Sequence, residues 1–242
     1  MSTECWNGYP LTRFESDGHE CLLCAPHEAL PGRPWIWRAE FFGAFPSVDL
    51  AMLEKGYHVA YCRLSDRFGC PDAVKDMRAF FEDAVARFSL RRKAVLFGFS
   101  RGGLYAVNYA LAHPETVESL YLDAPVLDIT SWPGGKGARN CSPREWQECL
   151  ACYHLDREPD SLFAGNPLVH AEELATLGIP VALVAGDADR TVPFGENGEP
   201  FARRFRAAGG DLLLIVKPGC DHHPHSLEDP TPVVEFLMNR GK

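Results

Sequence analysis

The chain has 242 residues, 46% of them hydrophobic and 24% charged, which is ordinary globular composition with enough apolar material for a core of normal size. A formal net charge of −9, with basic runs no denser than Arg91-Arg92-Lys93 and Arg203-Arg204, argues against nucleic acid as a partner. No apolar run approaches the ~20 residues of a membrane helix. Met1 to Pro10 also lacks the basic and apolar regions of a secretory leader, so no membrane partner and a cytoplasmic setting are expected.

The chain alternates strand and helix patterns without repeat, low-complexity stretch or linker, and reads as one domain over 1–242. Strands are predicted at His19–Ala25, Pro34–Arg38, Tyr57–Cys62, Lys93–Gly98, Val117–Leu122, Pro180–Gly186 and Asp211–Lys217. Several are near-continuous apolar runs, the mark of strands covered on both faces. Helices are predicted at Pro71–Phe88, where Val74, Met77, Phe80, Phe81, Ala84 and Val85 keep a 3.6 period, and at Arg101–Ala112, Gly195–Ala208 and Pro232–Arg240. The expected class is α/β, a mainly parallel sheet with helices on both faces. In such sheets, chemistry gathers at the carboxyl ends of the strands. Residues 128–171 are too long for a simple connection; with Trp132, Trp146 and Tyr153 they read as a small lid over that edge.

Nine cysteines include two Cys-x-x-Cys pairs, Cys21/Cys24 and Cys149/Cys152. Positions i and i+3 of a strand face opposite sides, so Cys21 and Cys24 do not converge on a zinc ion. Free thiols are the expected state.

The strand Lys93–Phe97 runs into Gly98-Phe99-Ser100-Arg101-Gly102-Gly103 and then a helix, which is Gly-x-Ser-x-Gly in its required strand, turn and helix context. Gly98 and Gly102 leave room where strand and helix crowd. Ser100 is thrust out at the strand end, and the backbone N–H of Arg101 is a natural oxyanion donor. A serine nucleophile needs a base and the base an orienting acid. Asp187-Ala188-Asp189 follows one later strand, and Gly219-Cys220-Asp221-His222-His223-Pro224-His225 follows the next. Asp123 closes another strand and competes as the acid, while His223 and His225 compete with His222 as the base. Three histidines in four residues also raise a metal reading, but adjacent histidines tend to diverge and Pro224 stiffens the loop, so no metal is expected.

Together these segments resemble the α/β-hydrolase fold family over nearly the whole chain. The resemblance implies that Asp189, the second acid of Gly186-Asp187-Ala188-Asp189, orients the base, that Asp187 caps the turn, and that His222 is the base. Asp221 stands where the family usually has glycine. The family's His-Gly, source of the second oxyanion donor, is replaced by Arg38-Ala39, so the amides of Ala39 or Glu40 are the candidates. Arg38 itself would bind a substrate carboxylate or sugar hydroxyl, or pair with Glu40.

The implied activity is acyl transfer to water without a cofactor, on a small-molecule carboxylic ester whose apolar part meets Trp35, Trp37 or Trp132. Two alternatives stand beside it. One is a small peptidase of the oligopeptidase type, disfavoured because the large accessory domain of those enzymes is missing from the sequence; the other is a non-catalytic binding protein on the same fold.

Overall fold

The structure, a computed structural model, describes residues 2–135, 141–160 and 162–240. Among the described residues nine strands form one sheet: β1 (Ser2–Trp6), β2 (Tyr9–Ser16), β3 (His19–Cys24), β4 (Trp35–Arg38), β5 (His58–Cys62), β6 (Ala94–Phe99), β7 (Val117–Asp123), β8 (Val181–Gly186) and β9 (Leu212–Lys217). The α-helices among these residues are α1 (Ser47–Glu54), α2 (Pro71–Phe88), α3 (Gly102–Ala112), α4 (Pro143–Cys152), α5 (Ala171–Thr176), α6 (Gly198–Ala207) and α7 (Thr231–Arg240). The spatial order is β1-β2-β3-β5-β4-β6-β7-β8-β9. From β5 to β9 every pairing is parallel, whereas β1, β2 and β3 add an antiparallel flank.

Strand periodicity splits the core into two layers. Trp35 and Trp37 of β4 point to one face, among Phe80 and Phe81 of α2 and Tyr109 of α3. Ile36 between them points to the other, with Val48 and Met52 of α1 and Val233 and Leu237 of α7. Cys21 and Cys24 likewise enter opposite layers, as their spacing requires. Helix α2 starts with Pro71 in its first turn and Asp72 beside the positive helix end. It stops at Ser89, whose left-handed backbone (φ 53°) ends the helix.

Strand β3 lies where His19–Ala25 is predicted; β1 and β2, which extend it into an antiparallel flank, have no counterpart among the predicted strands, although their signals are local. Asn7-Gly8 joins β1 to β2 and Asp17-Gly18 joins β2 to β3, all four residues at positive φ. These are the dipeptides that suit two-residue hairpin turns.

Segment 128–171 is stitched at its base by buried amides. Asn197 Oδ1 accepts from the N–H groups of Leu127 and Asp128, and Asn166 Oδ1 from that of Ile129. Leu168 N–H returns to the Leu127 carbonyl at 2.9 Å, bringing the two ends together. Within the segment, α4 buries Trp146, Cys149 and Leu150, and Tyr153 Oη donates to the Phe68 carbonyl at 2.8 Å. Among the described residues no helix is long and apolar enough to cross a membrane.

Candidate active site

The parallel order brings the ends of β6, β7, β8 and β9 side by side. Strand β6 leads directly into Ser100, whose φ of 49° is a conformation that a non-glycine residue holds only under tertiary constraint. That constraint is visible: Ser100 N–H donates to the Asp123 carbonyl at 2.9 Å, and the Ser100 carbonyl accepts from Gly103 and Val126. A Cβ on Gly98 would stand 2.8 Å from the Gly102 carbonyl oxygen and 2.9 Å from Ala106 Cβ, so strand and helix meet here only because residue 98 is glycine.

Ser100 Oγ lies 3.0 Å from His222 Nε2. His222 Nδ1 lies 2.7 Å from Asp189 Oδ2. The other Asp189 oxygen accepts the N–H groups of Thr191 and Val192 at 2.9 and 2.8 Å, so the carboxylate is fixed on both sides and 1% exposed. With Nδ1 facing a carboxylate, the proton belongs on Nδ1 and the Nε2 lone pair faces the serine hydroxyl. This is the nucleophile, base and orienting-acid geometry at unstrained distances.

The loops carrying acid and base brace one another. Asp221 accepts from the Arg190 amide, from the Arg190 guanidinium at 2.8 and 2.6 Å, and from the His222 amide. These bonds hold its carboxyl well below the usual carboxylate range. Asp187 Oδ1 takes the Gly219 N–H at 2.6 Å. Gly186 is the close approach between them, since a Cβ there would sit 2.1 Å from the Cys220 carbonyl oxygen.

Residues 68–151 match the model of a serine aminopeptidase family, S33. No curated protein matches the chain. Solved structures do. A puromycin-hydrolysing peptidase from Mycobacterium tuberculosis superposes with a TM-score of 0.69 at 16% identity, over 95% of this chain and 38% of that one. An acylaminoacyl peptidase from Pyrococcus horikoshii gives 0.66 at 14% identity, over 92% and 38%. Dipeptidyl peptidase 4 from Porphyromonas gingivalis gives 0.67 at 14% identity, over 98% and 36%. The chain has the α/β-hydrolase fold. It spans little more than a third of the length of each of these proteins.

On this α/β-hydrolase fold several expected site residues lie elsewhere. Arg38 is 0% exposed and pairs with Asp49, not Glu40: Nε donates to Oδ1 at 2.8 Å and a terminal nitrogen to Oδ2 at 2.9 Å. The Ala44 carbonyl takes a further bond, so Arg38 has no side-chain surface for a substrate. The Ala39 N–H is spent on the Phe97 carbonyl at 3.0 Å, which removes it as an oxyanion donor. Glu40 N remains, close beside the first turn of α3, 3.8 Å from where a Gly102 Cβ would stand. The Glu40 carboxylate pairs at 3.0 Å with Arg101, whose guanidinium also reaches Asp66 at 2.7 Å and Glu145 of α4 at 3.6 Å. Burial pushes the Glu40 carboxyl up, against the lowering pull of Arg101. Trp35 and Trp37 are core residues; burying either removes roughly 150–250 Å² from water, worth ~4–6 kcal/mol gross, which rules them out as cleft lining. Trp132 is half-buried and packs near Phe68.

The three loop histidines also converge rather than diverge. Their ring centroids lie 4.7–4.9 Å apart. His223 stacks on Phe45, and His225 is buried with Nδ1 2.8 Å from Asp123 Oδ1. Asp123 therefore serves His225, not His222. The sequence had raised Asp123 as a rival acid, and its position at a strand end was the only available signal for this second pair.

Proposed function

We propose that the chain is a serine hydrolase that cleaves short peptides or peptide-like amides through an acyl-enzyme on Ser100. The observation that carries the reading is the Ser100–His222–Asp189 line, 3.0 Å and 2.7 Å in its two links. Ser100 Oγ attacks the carbonyl carbon while His222 Nε2 takes its proton. The oxyanion that forms is met by the amides of Arg101 and Glu40. The imidazolium, steadied by Asp189, then protonates the leaving amine. Water deprotonated by His222 releases the acyl group, and no cofactor enters.

The carboxylic ester expected from sequence gives way to the peptide reading because the matching family model and the three similar structures described above are named as peptidases. An ester-cleaving reading stays second, since an imidazolium that can protonate a leaving amine can also protonate a leaving alkoxide.

The experiment compares kcat/KM for aminoacyl and dipeptidyl p-nitroanilides with that for p-nitrophenyl esters of increasing chain length. Turnover of an anilide, lost in Ser100→Ala, supports the peptidase reading. Ester turnover with no anilide cleavage returns the ester reading. Failure of a fluorophosphonate probe to label Ser100 would leave only a binding protein.

A further inference from the structure

The loop after β9 holds two imidazoles that share an uncommon arrangement. His222 presents Nδ1 to Asp189 and His225 presents Nδ1 to Asp123, both carboxylates being buried. A carboxylate behind Nδ1 fixes the ring and selects the tautomer with Nε2 unprotonated; this is the outer partner that metal-ligating histidines generally have. The third ring, His223, is exposed at the mouth of the same cluster. One nitrogen from each of the three lies within 4.8 Å of the others.

We propose that His222, His223 and His225 form a three-imidazole site for a borderline divalent transition metal such as Zn²⁺, and that filling it withdraws His222 from Ser100 and silences the site. The chemistry of the donors selects the ion. Neutral imidazoles favour zinc, cobalt, nickel and copper over magnesium and calcium, which want oxygen ligands. Tetrahedral zinc with bonds of ~2.0 Å needs nitrogens roughly 3.3 Å apart. The three nitrogens, within 4.8 Å of one another, must draw closer around an ion, and the exposed His223 has the freedom to move that the two carboxylate-held rings lack. The fourth position is left to water.

His222 cannot serve two masters: its Nε2 lone pair either accepts the Ser100 proton or binds the ion. The site is therefore inhibitory and reversible, distinct from the metal-free hydrolysis proposed above. Only the inhibitory half rests on that hydrolase reading.

Two measurements separate the halves. Zn²⁺ is titrated calorimetrically into Ser100→Ala protein whose accessible thiols have been alkylated, and Co²⁺ binding is followed by its visible absorption. One tetrahedral Co²⁺ and one Zn²⁺ per chain are expected, with affinity at least 10-fold weaker after adding His223→Ala; loss of the Asp123 support in Asp123→Asn should cost 10–100-fold. Equal affinity with and without His223, or no binding, overturns the site. In the second arm the wild-type rate on an activated ester should fall on zinc addition and return with EDTA, with the half-inhibiting concentration at least 10-fold higher in His223→Ala. Stoichiometric zinc with an unchanged rate overturns the silencing. A metal-free protein without any hydrolase activity counts against the hydrolase reading, and calorimetry still decides the site.

Discussion

His225 stands to Asp123 as His222 stands to Asp189: each imidazole offers Nδ1 to a buried carboxylate, at 2.8 and 2.7 Å, and the rings meet edge to face 4.7 Å apart. Only one of the two pairs reaches Ser100. Asp123 also accepts the Ser226 amide and the Tyr121 hydroxyl, which makes it a hub for the loop that carries the base.

The two acids should therefore separate experimentally. We predict that Asp189→Asn lowers acylation by an activated ester ~10³–10⁴-fold, by letting His222 adopt the wrong tautomer. Asp123→Asn should cost ~1–3 kcal/mol of stability, through imperfectly paired buried donors, yet keep acylation within ~10²-fold at a temperature where it is folded. The comparison is single-turnover acylation alongside urea unfolding; equal loss in both variants would make Asp123 a partner in the chemistry.

Ser100→Ala and His222→Ala should be about equally damaging, ~10⁴-fold or more, because nucleophile and base act as one unit. His223→Ala should cost less than ~10²-fold, since the hydrogen bond of Ser100 Oγ goes to His222. Loss of acylation in His223→Ala with retention in His222→Ala would move the base by one residue.

Removing one member of the Arg38–Asp49 pair leaves a buried, uncompensated charge. Arg38→Met should lower unfolding free energy by ~3–5 kcal/mol, and Arg38→Met with Asp49→Leu should recover much of it. KM should not change in whichever variant folds. A raised KM in the stable double variant would restore Arg38 as a substrate contact.

His58 opens β5 in a buried position where desolvation and the nearby Arg33 charge bring its pKa from 6.5 down to about 4. The unfolded chain takes up this proton near 6.5 and the folded chain only near 4, so between those values the unfolded state binds more protons and acid favours unfolding. The stabilisation is complete above 6.5 and lost as pH falls toward 4, by ~2–3 kcal/mol after allowance for partial screening. Urea unfolding at pH 7, 5.5 and 4.5 should show wild type losing that much more than His58→Gln. Parallel losses would assign the acid sensitivity to other groups.

The parallel half of the sheet is readable because its strands are covered on both faces, and β6 and β8 carry unbroken apolar runs. The strand-turn-helix context made Ser100 readable in the same way, from neighbours in sequence. What stayed hidden depended on partners distant in the chain. Nothing local to Arg38 announces Asp49, and nothing in β4 tells an aromatic in the core from one in a cleft. Whether Ala39 or Glu40 keeps a free N–H depends on which carbonyl of β6 lies opposite, a matter of register. Adjacent histidines ordinarily diverge along a chain, and nothing local shows that the carboxylates of Asp123 and Asp189 draw two of these rings inward.

The cross-bracing of the loops after β8 and β9 has a dynamic corollary. Asp187 and Arg190 on one loop grip Gly219 and Asp221 on the other, so neither can open without breaking the bonds that hold its neighbour. The two loops should behave as one cooperative unit in native-state hydrogen exchange, the protected amides of Thr191, Val192, Gly219 and His222 sharing a single opening free energy. Acid and base then assemble and come apart together, so that a half-built site, with a placed histidine and a wandering carboxylate, is scarcely populated.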